Sequence, residues 1–343
     1  MCRAPRAEGG LTLAGPPALT SPLAPVILRY LTLKTTLGRG YATERRFFPS
    51  LDAFLVADHA ADLTSEGFDR WCQTHAHLTS GIRRAQMRIV RNLCLYRRRA
   101  EPACFVPDLA LFPLRHQPAP PSLVTEDEMA RVLTATTTLR TPPACPLRGQ
   151  AVRVGLVLLS TAGLRRGELL RMTMGDDDPQ EQTLRVQASK FHQSRLLPLS
   201  ADAGEELAAS LAARRTYRPD ATRDAAPLMW TGGPGLRGYT GSGCARVFRT
   251  LARQAGIRRA DGQPPRVHDL RHSFAVNALL RWYRTGVDVH AKLPLLSTSM
   301  GHVSIASTQY SLHFVAPVAH AASERFAQHY SHLLTPPPEE EHP

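Results

Sequence analysis

Four short segments carry residues suited to handling a phosphate ester. TAGLRRGELLRM, residues 161–172, turns at Gly163 and opens a helix at Arg165, with Glu168 and Leu169 following. ASKFHQSRLLPL, residues 188–199, sets Lys190 at the tip of a hairpin. HDLRHSFAVNALL begins at His268 and places His268 and Arg271 three apart on one face of a helix. MGHVSIASTQYSLHF begins at Met300 and puts His302 at a loop-to-helix junction. Guanidinium groups are permanently charged forks that match phosphate oxygens, while lysine and histidine pass protons. Taken singly, each residue also has a plainer role. Arg165 and Arg271 read as surface ion-pair partners, with Glu168 close to Arg165 in sequence. Lys190 reads as a solvated hairpin tip, and His268 and His302 as packed or capping side chains. His268 and His272 stand four apart, faintly like the zinc-binding pattern H-E-x-x-H. Asp269 replaces the glutamate there, and Arg271 would sit beside a dication, so no metal is expected.

These segments need elements to hold them. Thr183–Gln187 and Arg195–Leu199 are short apolar runs that form a hairpin around a turn at Phe191–Ser194. An apolar run, Val154–Ser160, leads into the segment of Arg165. Thr125 caps a helix with acids in its first turn, and Met129, Val132 and Leu133 form its apolar face. From Ala203 to about Leu334 the pattern is mostly helical, broken by Gly- and Pro-rich stretches such as TGGPGLRGYTGSG. Upstream, residues 26–112 are helical throughout. Phe47, Phe48, Leu51, Phe54 and Leu55 recur at three and four spacing, and Thr64 caps the next helix. Thr79–Arg99 carries Ile82, Met87, Val90, Leu93 and Leu95. Flanking them are Arg83, Arg84, Arg88, Arg91, Arg97, Arg98 and Arg99, a candidate surface for a nucleic-acid backbone or else a solvated basic face. Four prolines between Leu111 and Leu123 mark a linker, 113–122. The termini, 1–25 and 335–343, read as disordered tails.

Composition narrows the partner. The 343 residues carry a formal net charge of +13, from 42 basic against 29 acidic side chains. A chain this basic usually meets a polyanion, and an Arg-rich genome is the bland explanation. Only Lys34, Lys190 and Lys292 are lysines, which makes the placement of each informative. Six cysteines are scattered without metal-ligand spacing, as expected of a cytoplasmic chain in reducing surroundings. No signal peptide and no run of 18 apolar residues is found, which favours nucleic acid over a membrane.

The four segments, in this order, resemble the first arginine box, the hairpin lysine, the H-x-x-R box and the (L/M)-G-H box of tyrosine recombinases. These are the phage-integrase family of DNA strand-exchange enzymes. The resemblance covers about residues 120–330 and, more loosely, 26–112. It implies a mainly α fold with a small β-hairpin or sheet (α+β). A helical core-binding domain over 26–112 would grip DNA, followed by a tyrosine-recombinase catalytic domain over 123–334. It also implies site-specific cleavage and rejoining of DNA without metal or cofactor. Arg165 and Arg271 resemble the pair that clamps the non-bridging oxygens, and Lys190 the general acid for the leaving 5′-oxygen. His268 resembles the proton acceptor or hydrogen-bond partner, and His302 a further phosphate donor. In the family a tyrosine then forms a 3′-phosphotyrosine intermediate.

That tyrosine stands nine positions after the box-ending histidine. Counted from His302, the position holds Ser311, and Tyr310 stands one residue before it. One residue along a helix is a rotation of about 100° and a rise of about 1.5 Å, which points Tyr310 away from a site built for position 311. The Ser311 hydroxyl points correctly but is short and less acidic than a phenol. Weak or absent cleavage is therefore expected, unless local unwinding near the helix end brings Tyr310 in. The alternative is a catalytically inactive relative that binds recombination sites or regulates an active partner. Family members work as tetramers on two duplexes and exchange a C-terminal helix. Ala316–Tyr330 is a plausible helix for that exchange or for packing on its own domain, with Val318, Ala322 and Phe326 on one face.

Overall fold

In a computed structural model of the chain, the described residues are 19–38, 41–114, 121–187, 194–301, 318 and 320–327. They fall into two compact units that divide between Ala119 and Pro120.

The first unit is helical: α1 (Ala24–Thr36), α2 (Ala42–Ala57), α3 (Ser65–Thr74) and α4 (Ser80–Arg97). The periodic face of α2 is its buried face, with Phe47, Phe48, Leu51 and Leu55 inside. They meet Ile27 and Tyr30 of α1, Phe68 and Trp71 of α3, and Val90 and Leu93 of α4 in one core. The Thr64 hydroxyl accepts the Gly67 N–H at 3.1 Å, the expected cap of α3. Two expectations are corrected. Ile82 and Leu95 of α4 are exposed, at 47% and 39%. Steps of about 100° per residue carry Leu95 off the stripe made by Met87, Val90 and Leu93, and Ile82 lies in the first turn. The N-terminal tail also ends earlier than read. The Thr20 and Ser21 N–H groups donate to the Asp52 carboxylate at 2.8 and 3.0 Å, Leu23 is buried, and α1 begins at Ala24. Asp52 is a buried acid among the apolar residues of α2, and these bonds satisfy it. The rest of that tail lies outside the described residues.

The second unit comprises α5 (Glu126–Ala135), α6 (Arg148–Thr161), α7 (Arg166–Leu169), β1 (Asp177–Asp178), β2 (Thr183–Val186), β3 (Arg195–Pro198), α8 (Ala201–Tyr217), α9 (Gly241–Gln254), α10 (Val267–Arg284) and α11 (Val289–Met300). A full capping box starts α5: the Thr125 hydroxyl accepts the Glu128 N–H, and the Glu128 carboxylate accepts the Thr125 N–H. Val154–Ser160 lies in α6, whose residues Val154–Leu159 are all buried, so this helix is the centre of the core. The three strands form one antiparallel sheet in the order β1-β2-β3, with Leu184 opposite Leu197 and Val186 opposite Arg195. The fold is therefore mainly α with one small sheet, as the sequence led us to expect. Residues 320–327 are helical, and the Arg325 guanidinium donates to the carbonyls of Gly286 and Val287 in the same chain. Among the described residues no helix is long and apolar enough to cross a membrane.

Candidate active site

The site is assembled where α7, β3, α10 and the end of α11 meet. Gly163 precedes α7 with φ +58°, and a Cβ there would stand 2.4 Å from the Phe274 ring of α10. Glycine is required on both counts. Arg165 then sits at the N-cap of α7. Its backbone N–H donates to the Glu168 carboxylate at 2.9 Å, its Nη1 to the same carboxylate at 2.7 Å, and its Nη2 to the Gly301 carbonyl at 2.6 Å. About a quarter of the Arg165 side chain remains open, 23%.

Arg271 and His268 sit on the first turns of α10, whose start is fixed by the Arg266 N–H donating to the buried Asp269 carboxylate at 2.7 Å. Arg271 is buried, and its guanidinium donates to the carbonyls of Gly163 and Met300. These bonds fix its orientation and still leave donors, because a guanidinium carries five N–H groups. Burial, and after it the positive charge of Arg165, pushes the Arg271 pKa down to about 9, so the group stays charged at neutral pH. His268 is open to solvent on one side. Desolvation on its packed side, followed by the charge of Arg271, lowers its pKa below the ordinary histidine value. The imidazole is then neutral near pH 7 and able to accept a proton. Arg165, His268 and Arg271, expected from the sequence to act together, are thus brought together. Lys190, His302, Tyr310 and Ser311 lie outside the described residues. β2 and β3 do form the two arms of the expected hairpin, and Lys190 falls between them in sequence.

Two residues matter more than their sequence context suggested. Glu168 is almost fully buried and receives both Arg165 and Arg195. Burial alone would raise its pKa, but hydrogen bonds from Arg195, from the Arg165 N–H and from the Arg165 side chain hold the carboxyl at about 2. Arg195 donates to Glu168 at 3.2 Å from Nη1 and 2.9 Å from Nη2, and its Nε reaches the Ser299 carbonyl at 2.7 Å. A signal for it existed. Side chains alternate along a strand, so Arg195 shares a face with Leu197, and an inward arginine needs an acid. Gly301 closes the arrangement: it ends α11 in the left-handed conformation, φ +63°.

His268 and His272 are joined by no third metal-ligating side chain among the described residues. His272 is buried, and burial lowers its pKa.

The arginines of α4 divide into two groups. Arg97 is held by the carboxylates of Asp62 and Glu101. Arg84 and Arg91 donate to the carbonyls of Pro113 and Pro107. Arg88 and Arg98 are exposed, and Arg83 is half-buried. The seven arginines therefore do not form one uniform solvated stripe: three of them brace their own unit.

The phage integrase family matches residues 122–314. A protein of Sinorhizobium fredii named as an integrase/recombinase, y4rB, is 33% identical over 290 residues, which is 83% of this chain and 91% of that one. The tyrosine recombinase XerC of Azotobacter vinelandii is 34% identical over 158 residues, 46% of each chain. The fold is similar to that of the Tn1549 transposon integrase in complex with a circular intermediate DNA. There the TM-score is 0.58 at 16% identity, over 88% of this chain and 99% of that one. It is also similar to a lambda integrase dimer bound to a COC′ core site, with a TM-score of 0.55 at 16% identity, over 85% and 95%.

Proposed function

The chain belongs to the phage integrase family of tyrosine recombinases, and from that premise we propose that it binds duplex DNA at a recombination site and holds the scissile phosphate between Arg165 and Arg271. The observation that carries this reading is that both guanidinium groups donate to carbonyls at the end of α11, immediately before His302, while the charges of both act on His268. In the cleavage step a hydroxyl oxygen bonds to phosphorus as the bond to the 5′-oxygen breaks. Lys190 gives the 5′-oxygen its proton, and His268 accepts the proton of the nucleophile. His302 donates to the phosphate, whose growing charge meets fixed donors. One phosphoester replaces another, so rejoining is the same step reversed and no water or cofactor is consumed. Arg83 and Arg88 on α4, and Arg98 at its C-cap, contact the DNA backbone. Four copies on two duplexes, or a pairing with a partner recombinase, complete the reaction.

A second reading is favoured by one observation: Ser311 holds the position at which the family's nucleophile stands, with Tyr310 beside it. On that reading the clamp binds a recombination site without cutting it. One experiment tests both. A duplex is enriched from a random library by binding to the full chain, then rebuilt as nicked suicide substrates. A covalent adduct that disappears with Tyr310→Phe establishes Tyr310 as nucleophile. An adduct seen only with Ser311→Tyr establishes an intact site that lacks its nucleophile. DNA affinity that does not fall as salt rises would sink both readings.

A further inference from the structure

Arg195, like Arg165, is tied to both Glu168 and the end of α11, and it does so from the sheet. Its first anchor is the acid that also receives the Arg165 side chain and backbone N–H. Its second is the Ser299 carbonyl, the next carbonyls along being those of Met300 and Gly301, which orient Arg271 and Arg165. It begins β3, one arm of the hairpin whose connection carries Lys190. Three separate parts of the chain therefore meet on one guanidinium, of which only 10% of the side chain is exposed. Its donors are directed at these partners, which suits a brace rather than a contact with DNA.

We propose that Arg195 is a positioning residue for strand cleavage, setting Arg165 and the lysine-bearing hairpin in register with the end of α11. This rests on the reading of the site as a phosphodiester clamp. A planar fork can hold a carboxylate edge-on while its Nε reaches a carbonyl on the other side, and an ammonium group cannot span both. Without it Glu168 keeps only Arg165 as a charged partner. Arg165 is then oriented by a carboxylate that is itself loose, and β3 loses its link to α11. A displacement of about 1 Å at a reacting centre costs roughly a hundredfold in rate.

The test uses the full chain and the enriched duplex, in whichever background forms the covalent adduct, the chain as written or Ser311→Tyr. Arg195→Gln is expected to slow adduct formation at saturating DNA by about a hundredfold, while DNA affinity changes less than about threefold. Arg195→Lys keeps the charge and is expected not to restore the rate. Adding Arg195→Gln to Arg165→Gln is expected to slow the reaction by much less than the roughly hundredfold seen alone, because the first acts in part through the second. A pH series separates positioning from general loosening. Glu168 is buried, and in Arg195→Gln its carboxyl loses the hydrogen bonds and charge of Arg195 that lower its pKa, so it protonates at a higher pH than in the parent. The variant then loses rate relative to the parent as pH falls, beyond the loss that protonation of His268 causes in both. Rescue by lysine, full additivity with Arg165→Gln or a flat pH ratio would overturn the proposal. Where neither background forms an adduct, the catalytic part of the proposed function fails by itself. The coupling of Arg195→Gln with Arg165→Gln is then read from urea unfolding of the second unit, where non-additivity supports the brace and additivity refutes it.

Discussion

Replacing Gly301 by alanine tests whether the end of α11 and the arginines form one unit. Gly301 has φ +63°, and a Cβ built there lies 2.7 Å from Arg195 Nη1, 3.1 Å from Arg195 Cζ and 3.3 Å from Arg165 Nη1. The left-handed backbone alone costs an alanine about 1–2 kcal/mol. To reach ordinary contact the Arg195 guanidinium must also retreat by more than half an ångström. Its bond from Nη1 to Glu168 is already 3.2 Å long, so this movement breaks it. A hydrogen bond between charged groups is worth about 1.5–3 kcal/mol. The expected loss for Gly301→Ala is therefore about 2.5–5 kcal/mol. Gly256→Ala supplies the control, because Gly256 has φ +73° with nothing within 4 Å of a built Cβ. That variant should lose only the backbone part, about 1–2 kcal/mol. Urea unfolding of both variants, fitted to the transition of the second unit, gives the comparison. Equal losses would mean that the arginines yield freely at Gly301, and the argument for a rigid clamp would fail.

Three further outcomes follow from the same structure. Arg97→Ala should destabilise the first unit by about 1–2 kcal/mol while leaving the salt dependence of DNA binding unchanged, because Arg97 is engaged by Asp62 and Glu101. Arg88→Ala should do the reverse, flattening the slope of log affinity against log salt by about 0.9 at unchanged stability; thermal melts and salt titrations on both variants check the pair. Glu168, held at about 2 in the folded chain against about 4.3 unfolded, contributes on the order of 3 kcal/mol that is present above pH 4.3 and lost as pH falls toward 2. Unfolding free energies across that window should show an acid loss that is absent in Glu168→Gln. Thr125→Ala, which removes the hydroxyl of the α5 capping box, should cost about 1 kcal/mol in urea unfolding.

Much of the fold was legible because local rules and burial agree. The period of Phe47, Phe48, Leu51 and Leu55, the caps at Thr64 and Thr125, and the alternation of β2 and β3 are each short-range patterns that the packing enforces. The anchoring of residues 19–23 was not legible, because it depends on Asp52, about thirty positions away, being an acid on the inner side of α2. Proline and glycine near a terminus look like a tail until such a distant partner is known. The α4 arginines failed to separate for the same reason. Arg88 and Arg97 are alike as residue types, and only the position of Asp62, 35 residues upstream of Arg97, makes one of them structural.

The site shows where sequence reasoning stops. Arg165, His268 and Arg271 could be picked out because each stands in a segment of a distinctive type. What orients them is made largely of backbone: the carbonyls of Gly163, Met300 and Gly301 receive the two guanidinium groups. A carbonyl is present at every position and leaves no trace in residue identity, so this half of the clamp is invisible in one sequence. Its shadow falls on the glycines instead. Gly163 and Gly301 both adopt positive φ, and at both a Cβ would strike a side chain of the site or its support. Two glycines of this kind, one before Arg165 and one before His302, are the residues that let carbonyls approach two buried or half-buried charges. A variant that restores a tyrosine at position 311 but disturbs either glycine should therefore bind DNA and still cut poorly. The nucleophile supplies the reacting oxygen, whereas the glycines allow the phosphate to be held in the geometry that oxygen needs.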